Sequence, residues 1–550
     1  MGKSENVEMT GCEAAGPLRP AVPSFWYYAL AVLVILFFVF IRIRMLDMPL
    51  ERDEGEYAYA GQLILQGIPP YDLAYNMKLP GTYAAYSLIL GIFGQTPRAV
   101  HIGLLLINTA TVILMYFLGA RLFGRLAGVI SSAVYSLLSA GVLVLGFAGH
   151  ATHFVVLPAI GGILLLLKGL ESERPLPYFW SGLLLGVAFI MKQPGIFFVI
   201  FSGLYLLRSE WQRPAERRGK ALRCGVFFLG AILPFTLTCL ILLRAGVFHK
   251  FWFWTFSYAR EYATAVGISD GIQLLWYTTA RIIGPAVWIW CIAAAGLAAL
   301  LWNREARTRA VFTSGFLFFS FAAVCPGLYF RSHYFILLLP AISLLAGIAV
   351  STSARGIFDL SRSLRLAAIP VIVFFAAFAA AVFHQRELYF EKDPIAACRS
   401  VYGENPFPEA VTIADYIRAS TPKSARIAIL GSEPEIYFYS GRRSATGYIY
   451  MYPLMEGQKF ASNMQKEMIS EIEAARPEIL IYVNVKVSWL KRIESDTTIL
   501  SWADGYVKSS YEKAGIVDIF RDHTEYRWDD EVKSYQPRSP VNVYVFRRKT

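Results

Sequence analysis

Glu51-Arg52-Asp53-Glu54-Gly55-Glu56-Tyr57-Ala58-Tyr59, running on to Asn76-Met77-Lys78-Leu79-Pro80, decides how this chain is read. The stretch crowds charge and tyrosine into the gap between two apolar runs, at 25–46 and 98–119. Within that gap, 47–97, one amphipathic run stops at Gly67 before Pro69-Pro70, and Lys78 opens a second that ends near Gly94. A connection of this length with helical patterns of its own is more often functional than a plain linker. The candidate site is placed here.

Working outward, the 550 residues are 56% hydrophobic and 15% aromatic. Apolar segments recur at 25–46, 98–119, 126–147, 153–167, 178–207, 224–243, 282–302, 310–328, 334–350 and 366–384, most of them long enough to cross a hydrocarbon core about 30 Å thick. The class is a polytopic α-helical membrane protein. A net charge of +12 would suit nucleic-acid binding, but the basic residues cluster in short loops between apolar runs, which is a signature of membrane topology. The six cysteines form no CxxC pair, so neither a disulfide framework nor a zinc site follows. Residues 1–24 read as a cytoplasmic tail, and the first apolar run as a retained helix with no cleavage pattern after it.

The segment 178–207 is too long for one ordinary crossing and holds Lys192-Gln193-Pro194 at its middle. Read as a hairpin of two short helices, it places every basic loop from Arg121 onward on one face and gives about eleven crossings. Arg42 and Arg44, at the outer end of the first span, run against this topology. The opposite, extracytoplasmic face then collects 47–97, the turn Gly149–His153, the Lys192 tip, the loop at 244–281, the turn Tyr329–His333 and everything after 385. Charges at membrane depth persist mainly where they pair or line a wet cavity, so a cavity is expected on that side. Residues 25–384 form the membrane domain. From 385 to 550 the pattern changes to helices at 408–419 and 464–475 alternating with strands at 426–430 and 478–483, plus an edge strand at 541–546. That is a small α/β domain; Gly431-Ser432-Glu433 lacks the spacing of a nucleotide-binding loop.

Each candidate has a plain and a chemical reading. Asp53 with Glu56 three residues on reads as a capping box, and Asp53 with Glu54 as a catalytic carboxylate pair and the candidate ligands for a divalent cation. Lys78 and Lys192 either snorkel to the interface or meet an anionic ligand such as a phosphate, which Arg331 would grip as a fork. His150, His153 and His333 lie at outer turns and are either packing residues or part of a site. Phe251-Trp252-Phe253-Trp254, Tyr258 and Tyr262 form an interfacial belt or a stacking surface for a sugar; Tyr57 and Arg260 are further candidate substrate contacts.

Taken in order, the Asp53-Glu54 pair after the first span, Lys78-Leu79-Pro80, Lys192-Gln193-Pro194 and Arg331-Ser332-His333-Tyr334-Phe335 with Leu339-Pro340 resemble the GT-C class of membrane glycosyltransferases. The nearer branch looks like the bacterial relatives of protein O-mannosyltransferases and lipid A aminoarabinose transferases. The resemblance implies an inverting transfer of a sugar from a polyprenyl-phosphate donor to an envelope acceptor, on the extracytoplasmic side of a bacterial inner membrane. Asp53 would be the catalytic carboxylate, and Lys78 would meet the lipid phosphate. The chain departs from those relatives at Met77 and His153, where acidic residues are usual, so no bound metal follows from the likeness. The rival class is a transporter or lipid flippase, which would show matched broken helices in two halves; the single broken span and the large first loop have no counterpart later in the chain.

Overall fold

A computed structural model describes residues 24–214 and 216–549. The expected N-terminal tail, up to residue 23, lies outside the described residues. Among the described residues, seven helices are long and apolar enough to cross a membrane: Phe25–Arg44, Pro97–Phe123, Ala151–Ser172, Arg217–Arg244, Ile268–Trp302, Leu339–Ser361 and Leu364–His384. Four shorter apolar helices accompany them: Gly81–Phe93, Arg125–Ser139, Pro175–Met191 and Ala310–Ala322. The chain is an integral membrane protein.

Helix α1 (Ser24–Arg44) leads into the first loop, which holds α2 (Arg52–Leu65) and α3 (Gly81–Phe93). Next come α4 (Pro97–Phe123), α5 (Arg125–Ser139) and α6 (Ala151–Ser172). The two arginines that opposed the topology are absorbed by backbone. Arg42 is buried and donates to the carbonyls of Ser139 and Gly146, while Arg44 donates to the carbonyls of Tyr389 and Lys392.

Helices α7 (Pro175–Met191) and α8 (Ile196–Gln212) form the hairpin. Lys192 is extended, and Pro194 withholds the N–H that a continuing helix would need. The two arms are antiparallel, because Tyr178 at the start of α7 donates to Glu210 at the end of α8, 3.4 Å away. At that closed-off end Glu210 also receives Arg223 at 2.6 Å, so the basic loop is tied to the hairpin by a buried ion pair.

The C-terminal part builds a six-stranded sheet: β1 (Arg426–Leu430), β2 (Arg443–Ser444), β3 (Ile479–Asn484), β4 (Tyr511–Ile519), β5 (Thr524–Trp528) and β6 (Asn542–Arg548), in the order β2-β1-β3-β6-β4-β5. β1 pairs parallel with β2 and β3, whereas β6 runs antiparallel between β3 and β4. The expected edge strand is thus central, with Val543 and Val545 fully buried. Helices Phe407–Ser420 and Ala461–Ala475 match the expected ones.

The apolar residues fall into two main cores. One fills the membrane bundle; the other joins Leu50, Tyr57, Leu63, Tyr83 and Phe251 to Ile427, Ile436, Met468 and Ile481. The first loop and the C-terminal domain therefore share one interior, although residues 98–384 separate them in the chain.

Candidate active site

The N-terminus of α2 sits at the seam between those cores. Its N-cap is Glu51, not Asp53: Glu51 accepts from the Glu54 amide at 3.1 Å, and the Glu54 carboxylate accepts from the Glu51 amide at 3.3 Å. That reciprocal pair is a capping box, two residues ahead of the frame expected from the sequence. Glu54 is fully committed to architecture. It is buried, accepts from the Gly149 amide at 2.6 Å and lies 3.2 Å from His101 Nε2. The cap releases Asp53, one turn position on, to face the other way.

Asp53 uses its two oxygens differently. Oδ1 accepts from Lys78 Nζ at 2.8 Å and from the Tyr450 hydroxyl at 3.1 Å. Oδ2 stands 3.5 Å from His150 Nδ1 and 3.9 Å from His333 Nε2, and the two imidazoles stack with centroids 4.1 Å apart. Lys78 is shared: its ammonium also meets Glu56 at 2.6 Å, and it lies 4.5 Å above the Tyr57 ring. Glu56, buried, takes the Tyr83 hydroxyl at 2.5 Å on its other oxygen. Burial alone would push the Asp53 carboxyl up; the Lys78 ammonium and the two histidines more than reverse this and hold it well below the usual carboxylate range. Burial would lower Lys78, but Asp53 and Glu56 outweigh it and keep the ammonium charged. Burial raises Glu56 despite Lys78.

The second lysine is different. Lys192, at the hairpin tip, lies 4.1 Å over the Tyr334 ring with no carboxylate in ion-pair range among the described residues, and desolvation lowers its pKa to about 7. Beside it Arg331 stands over the Tyr329 ring at 5.5 Å, among Tyr262, Tyr334 and Tyr452, again without an acidic partner among the described residues. The hairpin is fastened to the first loop, since Gln193 donates to the Met77 carbonyl at 2.6 Å and Thr82 to the Met191 carbonyl at 2.8 Å.

The structure thus brings Asp53, Tyr57, Lys78, Lys192, His333 and Arg331 to one place and leaves three candidates apart. Glu54 turns away to the capping box. His153 is buried one turn below His150, with neither ring nitrogen hydrogen-bonded among the described residues. Arg260 is exposed on the short helix Ala259–Ala263 and forms no ion pair among the described residues. Sequence reasoning gave Glu56 only a capping role and passed over Tyr83 and Tyr450. The tyrosines carry no charge to flag them, and Tyr450 comes from the far domain.

The fold is that of the GT-C class of membrane glycosyltransferases. Residues 78–238 match the family model described as dolichyl-phosphate-mannose-protein mannosyltransferase. The whole chain is similar to the crystal structure of ArnT from Cupriavidus metallidurans bound to undecaprenyl phosphate, with 14% identity, 95% of this chain and 98% of that chain covered, and a TM-score of 0.58. It also resembles the oligosaccharyltransferase of Archaeoglobus fulgidus in the apo form, with 12% identity, 92% and 75% covered, and a TM-score of 0.54. The same archaeal enzyme, AglB, in complex with an inhibitory peptide and a dolichol-phosphate, covers 92% of this chain and 74% of that one, also at 12% identity and a TM-score of 0.54. No curated protein sequence matches.

Proposed function

We propose that this protein is an inverting glycosyltransferase that moves a sugar from a polyprenyl-phosphate donor to an envelope acceptor, on the extracytoplasmic face of a bacterial inner membrane. The observation that supports it most is the division of labour among the cations. Lys78 is neutralised by Asp53 and Glu56, whereas Lys192 and Arg331 have no acidic partner among the described residues and gather with Asp53 around His333. An unpaired lysine and arginine near a wall of tyrosines suit a phosphate at headgroup level.

In the reaction the acceptor oxygen attacks the anomeric carbon from the side opposite the lipid phosphate. A bond forms between that oxygen and carbon, the bond from carbon to phosphate oxygen breaks, and its electron pair leaves with the lipid phosphate. The acceptor proton passes to Asp53 Oδ2, the oxygen not already engaged by Lys78. Lys192 and Arg331 meet the charge that develops on the leaving phosphate; a donor placed this way is worth about 3 kcal/mol of barrier.

A divalent cation fits the same place. One ligand atom each from Asp53, His150 and His333 lies within 4.8 Å of the others, and both His150 ring nitrogens lack hydrogen-bond partners among the described residues. These three residues, rather than Asp53 with Glu54, would hold the ion, which when bound would supply Lewis acidity near the acceptor oxygen.

The test is to incubate purified protein with a panel of polyprenyl-phosphate sugars and an envelope lipid, glycan or peptide fraction, and to follow lipid phosphate release. Asp53→Asn is expected to lower turnover roughly 100-fold or more while donor binding persists. Undiminished transfer by that variant would overturn the assignment of the base.

A further inference from the structure

We infer that Tyr450, supplied by the C-terminal domain, is a positioning residue for the reacting carboxylate, so that the active site is incomplete without that domain. The inference rests on the reading of Asp53 as the base. The Tyr450 hydroxyl donates to Asp53 Oδ1 at 3.1 Å, on the same oxygen that Lys78 holds at 2.8 Å. Two donors on one oxygen fix the plane of the carboxylate and leave Oδ2 as the oxygen that faces the histidines. The Tyr450 ring, 5% exposed, also lies 5.6 Å from the Lys78 ammonium, a second aromatic face beside that of Tyr57 at 4.5 Å.

The tyrosine is held for this purpose from both sides. At one end of its loop the Gly447 carbonyl accepts from the Tyr75 amide of the first loop at 2.7 Å. A Cβ at Gly447 would fall 2.2 Å from the Tyr75 ring, so only glycine permits this approach. At the other end the Met451 amide donates to Ser432 Oγ at 2.9 Å, anchoring the loop to the end of β1. The adjoining Tyr452 ring packs edge-on against Tyr450 with centroids 5.6 Å apart and receives the Arg52 guanidinium. A residue serving only to glue the domain down would have no need of an oxygen on Asp53; Tyr448, two positions earlier, does that job with its ring, edge-on to Tyr75 of the first loop with centroids 5.1 Å apart, while its hydroxyl donates to Glu467 of its own domain at 2.7 Å.

Steady-state kinetics of lipid phosphate release on the full chain separate the two roles. Tyr450→Phe, which removes only the hydroxyl, is expected to lower kcat roughly 10- to 100-fold with donor KM unchanged, as misaligned reacting groups do. Tyr448→Phe, which removes a comparable hydrogen bond away from Asp53, should keep both constants. Wild-type kcat in Tyr450→Phe, or an equal loss in Tyr448→Phe, would overturn the inference while the proposed reaction stands. A wild-type protein that releases no lipid phosphate from any polyprenyl-phosphate sugar ends the reading of the reaction, and this inference with it.

Discussion

Among single residues, the two lysines that look alike in the sequence have opposite environments. Lys78 is enclosed by two carboxylates, whereas Lys192 is desolvated and has no carboxylate partner among the described residues. Substitution should therefore separate their effects. Lys192→Met is expected to raise the donor KM roughly 10- to 100-fold, the worth of a charge-assisted contact, with a smaller change in kcat. Lys78→Met should instead lower kcat, because it leaves Asp53 without the cation that keeps it ionised. Kinetics of lipid phosphate release on the two variants check both. The charged members of the site were legible in the sequence because ionisable groups stand out in apolar surroundings. The frame of the capping box was not. Glu51 with Glu54 and Asp53 with Glu56 both satisfy the acid-x-x-acid pattern, and only the contact of Glu54 with the Gly149 amide decides between them.

Among the elements, the hairpin was readable because a long apolar run interrupted by Lys-Gln-Pro cannot be one helix. The strand β6 was misplaced because alternation in 541–546 looks the same at an edge as in the middle of a sheet, and the β4–β5 hairpin that covers it went unseen. Close packing between α2 and the short helix Glu435–Ser440 was invisible as well, since it depends on a glycine whose partner lies 380 residues away. A Cβ at Gly55 would fall 2.6 Å from both Glu435 Cβ and its backbone nitrogen. Gly55→Ala is thus expected to cost about 1–3 kcal/mol, the usual penalty of overpacking, despite the better helix propensity of alanine. A lowered Tm together with faster proteolytic release of the C-terminal domain would show it; an unchanged Tm would refute this account of the packing.

For the whole molecule, stability and pH are linked across the same seam. Glu435 is fully buried, and neither carboxylate oxygen has a hydrogen-bond partner among the described residues. Burial first, then Glu433 beside it, pushes its carboxyl well above the ordinary glutamate value. The folded chain therefore retains a proton that the unfolded chain releases once pH exceeds 4.5. Stability falls as pH rises from that value toward the raised one, by about 1.4 kcal/mol for each unit of difference. Glu435→Gln, which cannot ionise, should flatten the decline in Tm between pH 5 and pH 7.5 measured in detergent. An identical slope in the variant would show that the carboxyl is not the source.

Next to it, Arg52 of α2 enters at the carboxyl end of β1, donating to the Ser432 carbonyl and meeting Glu433 at 3.0 Å. In open α/β sheets that end of the parallel strands is where a small ligand is ordinarily received. Here the berth is filled by the chain's own guanidinium, so the globular domain docks on the membrane part much as it would on a foreign molecule. Grafting residues 385–550 onto another membrane protein of this fold would strand two buried acids unless the host offered an arginine at the matching spot; the two pieces can be exchanged only as a pair.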